Sequence, residues 1–323
     1  MPLIEQSSYR SPFALSHGHV QTIFPTLFRP LPVVSYERER IETPDGDFLD
    51  LDWQRKESSK QLVIITHGLE GSSNGKYVRG MARAFQRKGW HSLAWNLRGC
   101  SGEPNRLLTS YHSGSSHDLD AVIHHAMQLD HYETIALVGF SLGGNITLKY
   151  LGDLGDHVSP KIKSAVAFSV ATDLASSAKQ LESFANRIYM RRFLNTLTTK
   201  VRLKIQQFPN QIEDHALDQM RTFREFDGHY TAPLNGFASA EEYWQKCSCG
   251  NMLNNISVTT LLVNAKNDPF LTPQCFPAEV AADHPYFHFE APATGGHMGF
   301  LQFQDENEYW AEQRAVEFVQ DHT

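Results

Sequence analysis

A chain of 323 residues has room for one large α/β domain carrying an insertion, or for two ordinary domains. Its composition, 41% hydrophobic and 20% charged with no low-complexity tract or internal repeat, is that of a folded globular protein. The formal net charge of −7 argues against nucleic-acid binding, which calls for a basic face, and the short basic cluster from Arg187 to Arg192 reads as a solvated helix face.

The N-terminus has no basic region followed by an apolar one, and no apolar stretch approaches the roughly 20 residues that span a bilayer, so a soluble, cytoplasmic protein with no transmembrane segment is expected. His17 and His19 fall in a loop-like segment. Residues 33–41 and 48–53 then read as antiparallel strands around a Pro44-Asp45-Gly46-Asp47 turn. Leu62-Val63-Ile64-Ile65 is a short continuous apolar run, the pattern of a strand buried on both faces. Residues 77–88 have helical spacing and end at Gly89, a strand follows over 90–96, and 118–129 is a second amphipathic helix with Ser115 or Ser116 as its cap. Strands are predicted at 135–138 and 162–169. The alternation calls for a mostly parallel sheet with right-handed crossovers and helices on both faces.

From about Ala171 to Ile256 the rhythm breaks. Residues 173–204 and 211–224 look helical, and 233–237 looks like loop. Strands resume at 258–263 and 286–290, and a final helix is predicted over 306–319. Because flanking strands complete the sheet, 171–256 reads as a helical cap inserted into a single domain, 1–323.

Gly139-Phe140-Ser141-Leu142-Gly143 lies between the 135–138 strand and a helix. This G-x-S-x-G turn pushes a serine hydroxyl clear of the sheet, and its small residues let strand and helix pass closely. Ser141 is the candidate nucleophile. A serine needs a base, usually histidine, and a carboxylate to hold the histidine's tautomer, and in this arrangement acid then histidine follow the serine. Asp268 follows one late strand and His297 the other, in loops at strand carboxyl ends where such folds build sites. Negative charge on a tetrahedral intermediate needs donors, for which the backbone N–H groups of Leu142 and of Leu69, in the loop after the 62–65 strand, are candidates.

Other side chains have plainer readings. Four cysteines make no disulfide framework, and Cys247 and Cys249 read as free thiols. None of the sixteen histidines forms a ligand cluster with carboxylates, so no metal is expected, and a serine acyl-enzyme route needs no organic cofactor. Cys100 has no identifiable base beside it, and His112 reads as hydrogen-bonded structure.

The stretches Gly18-His19-Val20-Gln21-Thr22, His67-Gly68-Leu69-Glu70-Gly71, Asn96-Leu97-Arg98-Gly99-Cys100, Tyr111-His112-Ser113-Gly114, Phe226-Asp227 with Tyr230-Thr231-Ala232-Pro233-Leu234, and Gly295-Gly296-His297-Met298-Gly299 together resemble the YheT-type hydrolases. These belong to the α/β-hydrolase superfamily and are related to the animal ABHD1, ABHD2 and ABHD3 branch; the resemblance covers nearly the whole chain. It implies an α/β-hydrolase fold and a serine hydrolase of carboxylic esters with Ser141, Asp268 and His297 as its relay. The family commonly has paired aspartates before the proline, whereas this chain has Asn267 then Asp268. The membrane anchor of the animal relatives has no counterpart here. The expected activity is hydrolysis of small acyl esters of short to medium chain; acyl transfer or thioester cleavage by the same three residues, and a binding protein on a hydrolase scaffold, are the alternatives.

Overall fold

The computed structural model describes residues 3–55, 58–129, 131–213, 215–303 and 308–323. Nine strands form one sheet: β1 (Leu3–Ile4), β2 (Glu37–Glu42), β3 (Phe48–Gln54), β4 (Gln61–Thr66), β5 (His91–Asn96), β6 (Thr134–Phe140), β7 (Ile162–Phe168), β8 (Thr259–Val263) and β9 (Phe287–Glu290), in the order β1-β9-β8-β7-β6-β4-β5-β3-β2. All neighbours are parallel except β3 with β5 and β2 with β3.

The side-chain period of two divides each apolar run between two cores. In β4, Leu62 and Ile64 join one buried cluster while Val63 and Ile65 join the other. Helix α1 (Gly18–Phe28) precedes the sheet's first long strand, and α2 (Lys76–Arg87), α3 (Ser116–Gln128) and α4 (Leu142–Leu154) connect the central strands. Leu119 of α3 and Ile146 of α4 pack on one face; Val78 and Phe85 of α2 pack on the other.

Between β7 and β8 lie α5 (Leu174–Leu181), α6 (Arg187–Gln207), the short α7 (Phe223–Phe226) and α8 (Ala232–Leu234), and α9 (Ala240–Cys247), with no strand among the described residues. They bury an apolar cluster of their own, including Leu181, Met190, Leu194, Phe226 and Trp244. Helix α10 (Ala278–Asp283) precedes β9, and α11 (Trp310–Asp321) ends the chain on the α2 side.

Several expectations need correction. The segment at His17 and His19 is not a loop but the start of α1, despite Pro25 within it. Residues 33–36 are not strand, because the carbonyls of Pro32 and Val34 accept from the Arg79 guanidinium instead of a neighbouring strand. The helix expected over 173–204 is two: Ser183 is extended, and Asn186 Nδ2 donates to the carbonyls of Gln180 and Pro269. Among the described residues, 211–224 hold a 3-10 turn at Leu217–Gln219 and the start of α7, whose Thr222–Glu225 capping box goes with an extended Thr222. Of the loop expected over 233–237, Pro233 and Leu234 belong to the helical turn Ala232–Leu234, and 235–237 are loop. The sequence reading missed α9, although Ser239 with Glu242 three residues on is a helix-start signature. Ser115 stands at the cap position of α3, but its hydroxyl accepts from the His112 amide, not from the helix. The last helix starts at Trp310; residues 306–307, where it was expected to begin, lie outside the described residues.

Candidate active site

Ser141 sits between β6 and α4 with φ 52° and ψ −118°, a conformation costly for a residue with a Cβ. The turn is held where the Ser141 amide donates to the Phe168 carbonyl at 2.8 Å. Glycine is required two residues to either side. A Cβ on Gly139 would lie 2.6 Å from the Gly143 carbonyl oxygen, and one on Gly143 would lie 2.4 Å from those of Thr66 and His67.

Two loops at the carboxyl ends of parallel strands complete the geometry. His297 Nε2 is 2.9 Å from Ser141 Oγ, and His297 Nδ1 is 2.9 Å from Asp268 Oδ2. An ionised carboxylate only accepts, so Nδ1 carries the proton and Nε2 faces the hydroxyl as an acceptor. Asp268 is further fixed by the Phe270 amide, which donates to its Oδ1 at 2.9 Å. The Phe270 ring lies 4.3 Å, centroid to centroid, from the imidazole. Asp268 and His297 are buried; Ser141 is partly open.

The His297 loop is held from behind by α1. The His297 amide donates to Thr22 Oγ1 at 2.9 Å, and the Met298 amide to Ser169 Oγ at 2.8 Å. Gly296, at φ 59°, passes so close to α1 that a Cβ would lie 2.5 Å from the Gly18 carbonyl oxygen. Asn267 points away from the imidazole: its Oδ1 accepts from the Gly296 amide and its Nδ2 donates to the Ser16 carbonyl. The carboxylate at the histidine is therefore that of Asp268.

Leu69 and Leu142 both border the cavity into which Ser141 opens. Leu142 is the first residue of α4, so its amide has no preceding turn to bond. Around Leu69, two phenols hold the loop: Gly68 N–H donates to Tyr77 Oη at 3.0 Å and Glu70 N–H to Tyr111 Oη at 3.1 Å. Tyr111 in turn donates to Glu70 Oε1 at 2.5 Å. Lys200 of α6 reaches the same carboxylate oxygen at 2.8 Å and Cys100 Sγ at 3.0 Å. Sequence reasoning missed this Glu70-Tyr111-Lys200 set; contacts across 130 residues leave no local pattern.

The cavity measures about 490 Å³ and runs from Ser141 and His297 beneath α5 and α6. Leu174, Leu181, Phe193, Phe223 and Phe270 give it an apolar wall. Asp227 also borders it, in a π-helical turn at Asp227–Thr231. It accepts from Thr231 Oγ1 and Trp244 Nε1, and burial raises its carboxyl to about 6.

Other polar groups near the cavity are buried or partly buried and engaged in hydrogen bonds. Burial lowers His67 to about 4; its Nδ1 donates to the Gly68 carbonyl and its Nε2 accepts from the Leu97 amide. Burial likewise lowers His112 to about 3, and its Nδ1 accepts from the Gly114 amide. The Cys100 thiol is pushed up to about 11 by burial, which leaves it a poor nucleophile. Cys247 and Cys249 are buried free thiols. Among the described residues no helix is long and apolar enough to cross a membrane.

Residues 61–303 match the family model described as alpha/beta hydrolase fold. The chain belongs to the α/β-hydrolase family. This hydrolase is 35% identical over 291 residues to YheT of Escherichia coli (strain K12), a protein that carries the name of an esterase, with 88% of this chain and 85% of that one covered. It is 29% identical to the phospholipase ABHD3 of Mus musculus, over 86% of this chain and 70% of the relative. Among solved structures, the Pyrococcus furiosus esterase Pf2001 superposes with a TM-score of 0.59 at 16% identity, covering 89% of the hydrolase and 90% of that chain, a likeness of fold.

Proposed function

We propose that this hydrolase cleaves carboxylic esters through an acyl-enzyme on Ser141. The observation that carries the reading is the unbroken relay from Ser141 Oγ to His297 Nε2 and from His297 Nδ1 to Asp268 Oδ2, both links at 2.9 Å, at the wall of an apolar cavity. Ser141 Oγ attacks the ester carbonyl carbon while His297 Nε2 takes its proton, and Asp268 stabilises the imidazolium. The resulting oxyanion accepts hydrogen bonds from the backbone amides of Leu69 and Leu142. Collapse breaks the bond to the alcohol, which leaves with the proton from His297. Water then attacks the acyl carbon, gives its proton to His297, and the acid departs as Ser141 is reprotonated.

The names of relatives, esterase and phospholipase, agree with ester cleavage. In this reading residues 171–256 are the cap of a single domain, and the apolar side chains of α5 and α6 receive a short to medium acyl chain. Four free thiols suit a reducing compartment such as the cytoplasm. The test is hydrolysis of p-nitrophenyl esters from acetate to palmitate by the wild type and Ser141→Ala. Loss of turnover in a variant that melts like the wild type is the expected result; equal turnover in the two proteins refutes the serine mechanism.

A further inference from the structure

Helix α1 is built inside out. It buries Gly18 and Gln21 and, through Thr22, the hydrogen bond to the His297 amide, while Ile23, Leu27 and Phe28 face solvent. Eleven large apolar side chains are exposed among the described residues, and nine of them belong to three segments: six from Phe13 to Val33, Phe184 and Ile188 on either side of the α6 N-terminus, and Phe303. Phe184, in the 3-10 turn just before α6, and Ile188 in its first turn are 84% and 76% exposed.

Contacts tie α1 to Phe303 at one end and to Tyr189 of α6 at the other. The Phe24 ring packs on Phe28 at 4.8 Å and edge-on against Phe303 at 6.3 Å. At the other end of α1, His19 Nδ1 meets Tyr189 Oη of α6 at 3.0 Å, next to Ile188. Scattered exposed apolar residues need no explanation, but clustering on one face does.

The face carries positive charge in a protein whose net charge is −7. Arg187, Arg191 and Arg192 are exposed along the first turns of α6, and Lys76 places its ammonium 2.8 Å from the Thr26 carbonyl, beside Leu27. Apolar side chains flanked by cations are the signature of a helix that lies in the headgroup region of a bilayer. A second copy of the chain is a poorer occupant, since symmetric pairing through this face brings two sets of arginines together.

We infer that the surface formed by α1, the start of α6 and Phe303 docks the protein peripherally on an anionic lipid surface. Leu27, Phe28, Phe184 and Ile188 enter the acyl boundary, and Arg187, Arg191 and Arg192 meet the phosphates. Because α1 also holds the His297 loop, docking sets the reactive serine close to the lipid surface.

The test is co-sedimentation of the full chain with vesicles of phosphatidylcholine alone or of equimolar phosphatidylcholine and phosphatidylglycerol. Two double variants, Leu27→Ser with Phe28→Ser and Arg191→Glu with Arg192→Glu, are compared after their melting curves show that they fold. Binding to the anionic vesicles is expected to weaken about tenfold or more in each variant, and in the wild type to fall with added salt. No binding to either vesicle overturns the inference, as does binding that neither variant alters. Concentration-dependent dimers that both variants abolish, without vesicle binding, assign the face to a second copy and equally overturn it.

Discussion

Asp227 allows a sharp test of how charge is accommodated beside the cavity. Its carboxylate has two neutral donors, Thr231 Oγ1 at 2.7 Å and Trp244 Nε1 at 2.8 Å, and burial raises it from 3.8 to about 6. A carboxyl raised on folding binds its proton more tightly in the native state. Its contribution to stability is therefore fully present below pH 3.8 and is lost as pH rises through about 6. Across the whole titration that displacement corresponds to about 3 kcal/mol, of which roughly half falls between pH 5 and pH 8. Asp227→Asn removes the charge and keeps the shape. The new amide donates to Thr231, whose hydroxyl turns to accept, and the remaining oxygen still accepts from Trp244. Urea denaturation at the two pH values measures the difference. Relative to the wild type, Asp227→Asn gains on the order of 1 kcal/mol more at pH 8 than at pH 5. An effect of the same size at both pH values refutes the reasoning, whatever its sign.

Lys200→Met leaves the Glu70 carboxylate with Tyr111 but without the ammonium at 2.8 Å, loosening the loop that carries the Leu69 amide. With a p-nitrophenyl ester, kcat is expected to fall about tenfold with little change in KM, and Lys200→Arg to recover most of it; a change confined to KM sinks the positioning role. Gly143→Ala sets a methyl 2.4 Å from two backbone carbonyl oxygens, neither on a flexible side chain, and costs about 3 kcal/mol or more by chemical denaturation. Asn267→Asp places an acceptor against the Ser16 carbonyl in place of the amide donor, a loss of about 1–2 kcal/mol with ester turnover retained. Should Asp268→Asn prove harmless to turnover, the acid has been placed on the wrong residue.

The sheet was legible because its central strands are apolar runs bounded by turn residues, and a strand buried on both faces has few other readings. The serine turn was legible for the same reason: Gly139 and Gly143 stand where backbone comes within contact distance. What escaped was tertiary. Gly18 and Pro25 speak locally against a helix, yet α1 forms because its polar side packs behind Gly296 and His297. In the 171–256 stretch, Asn186 and Thr222 redirect the backbone with side-chain hydrogen bonds that a periodicity reading ignores. The departure at Asn267 was visible in the sequence, but only the distances to Gly296 and Ser16 reveal that this side chain serves the loop rather than the imidazole.

The two rims of the sheet bear on how the protein behaves at high concentration. An unpaired strand edge is a template for another chain, and open sheets aggregate through such edges. Here one rim is β1, which spans two residues, Leu3 and Ile4, among the described residues. The other is β2, in which every residue but Ile41 is charged, with Arg38 and Arg40 fixed by Asp52 and Asp50 of β3. A strand arriving at the β2 rim meets a row of charged side chains, of which Arg38 and Arg40 are already paired with β3, and this disfavours fibrous self-assembly along that edge.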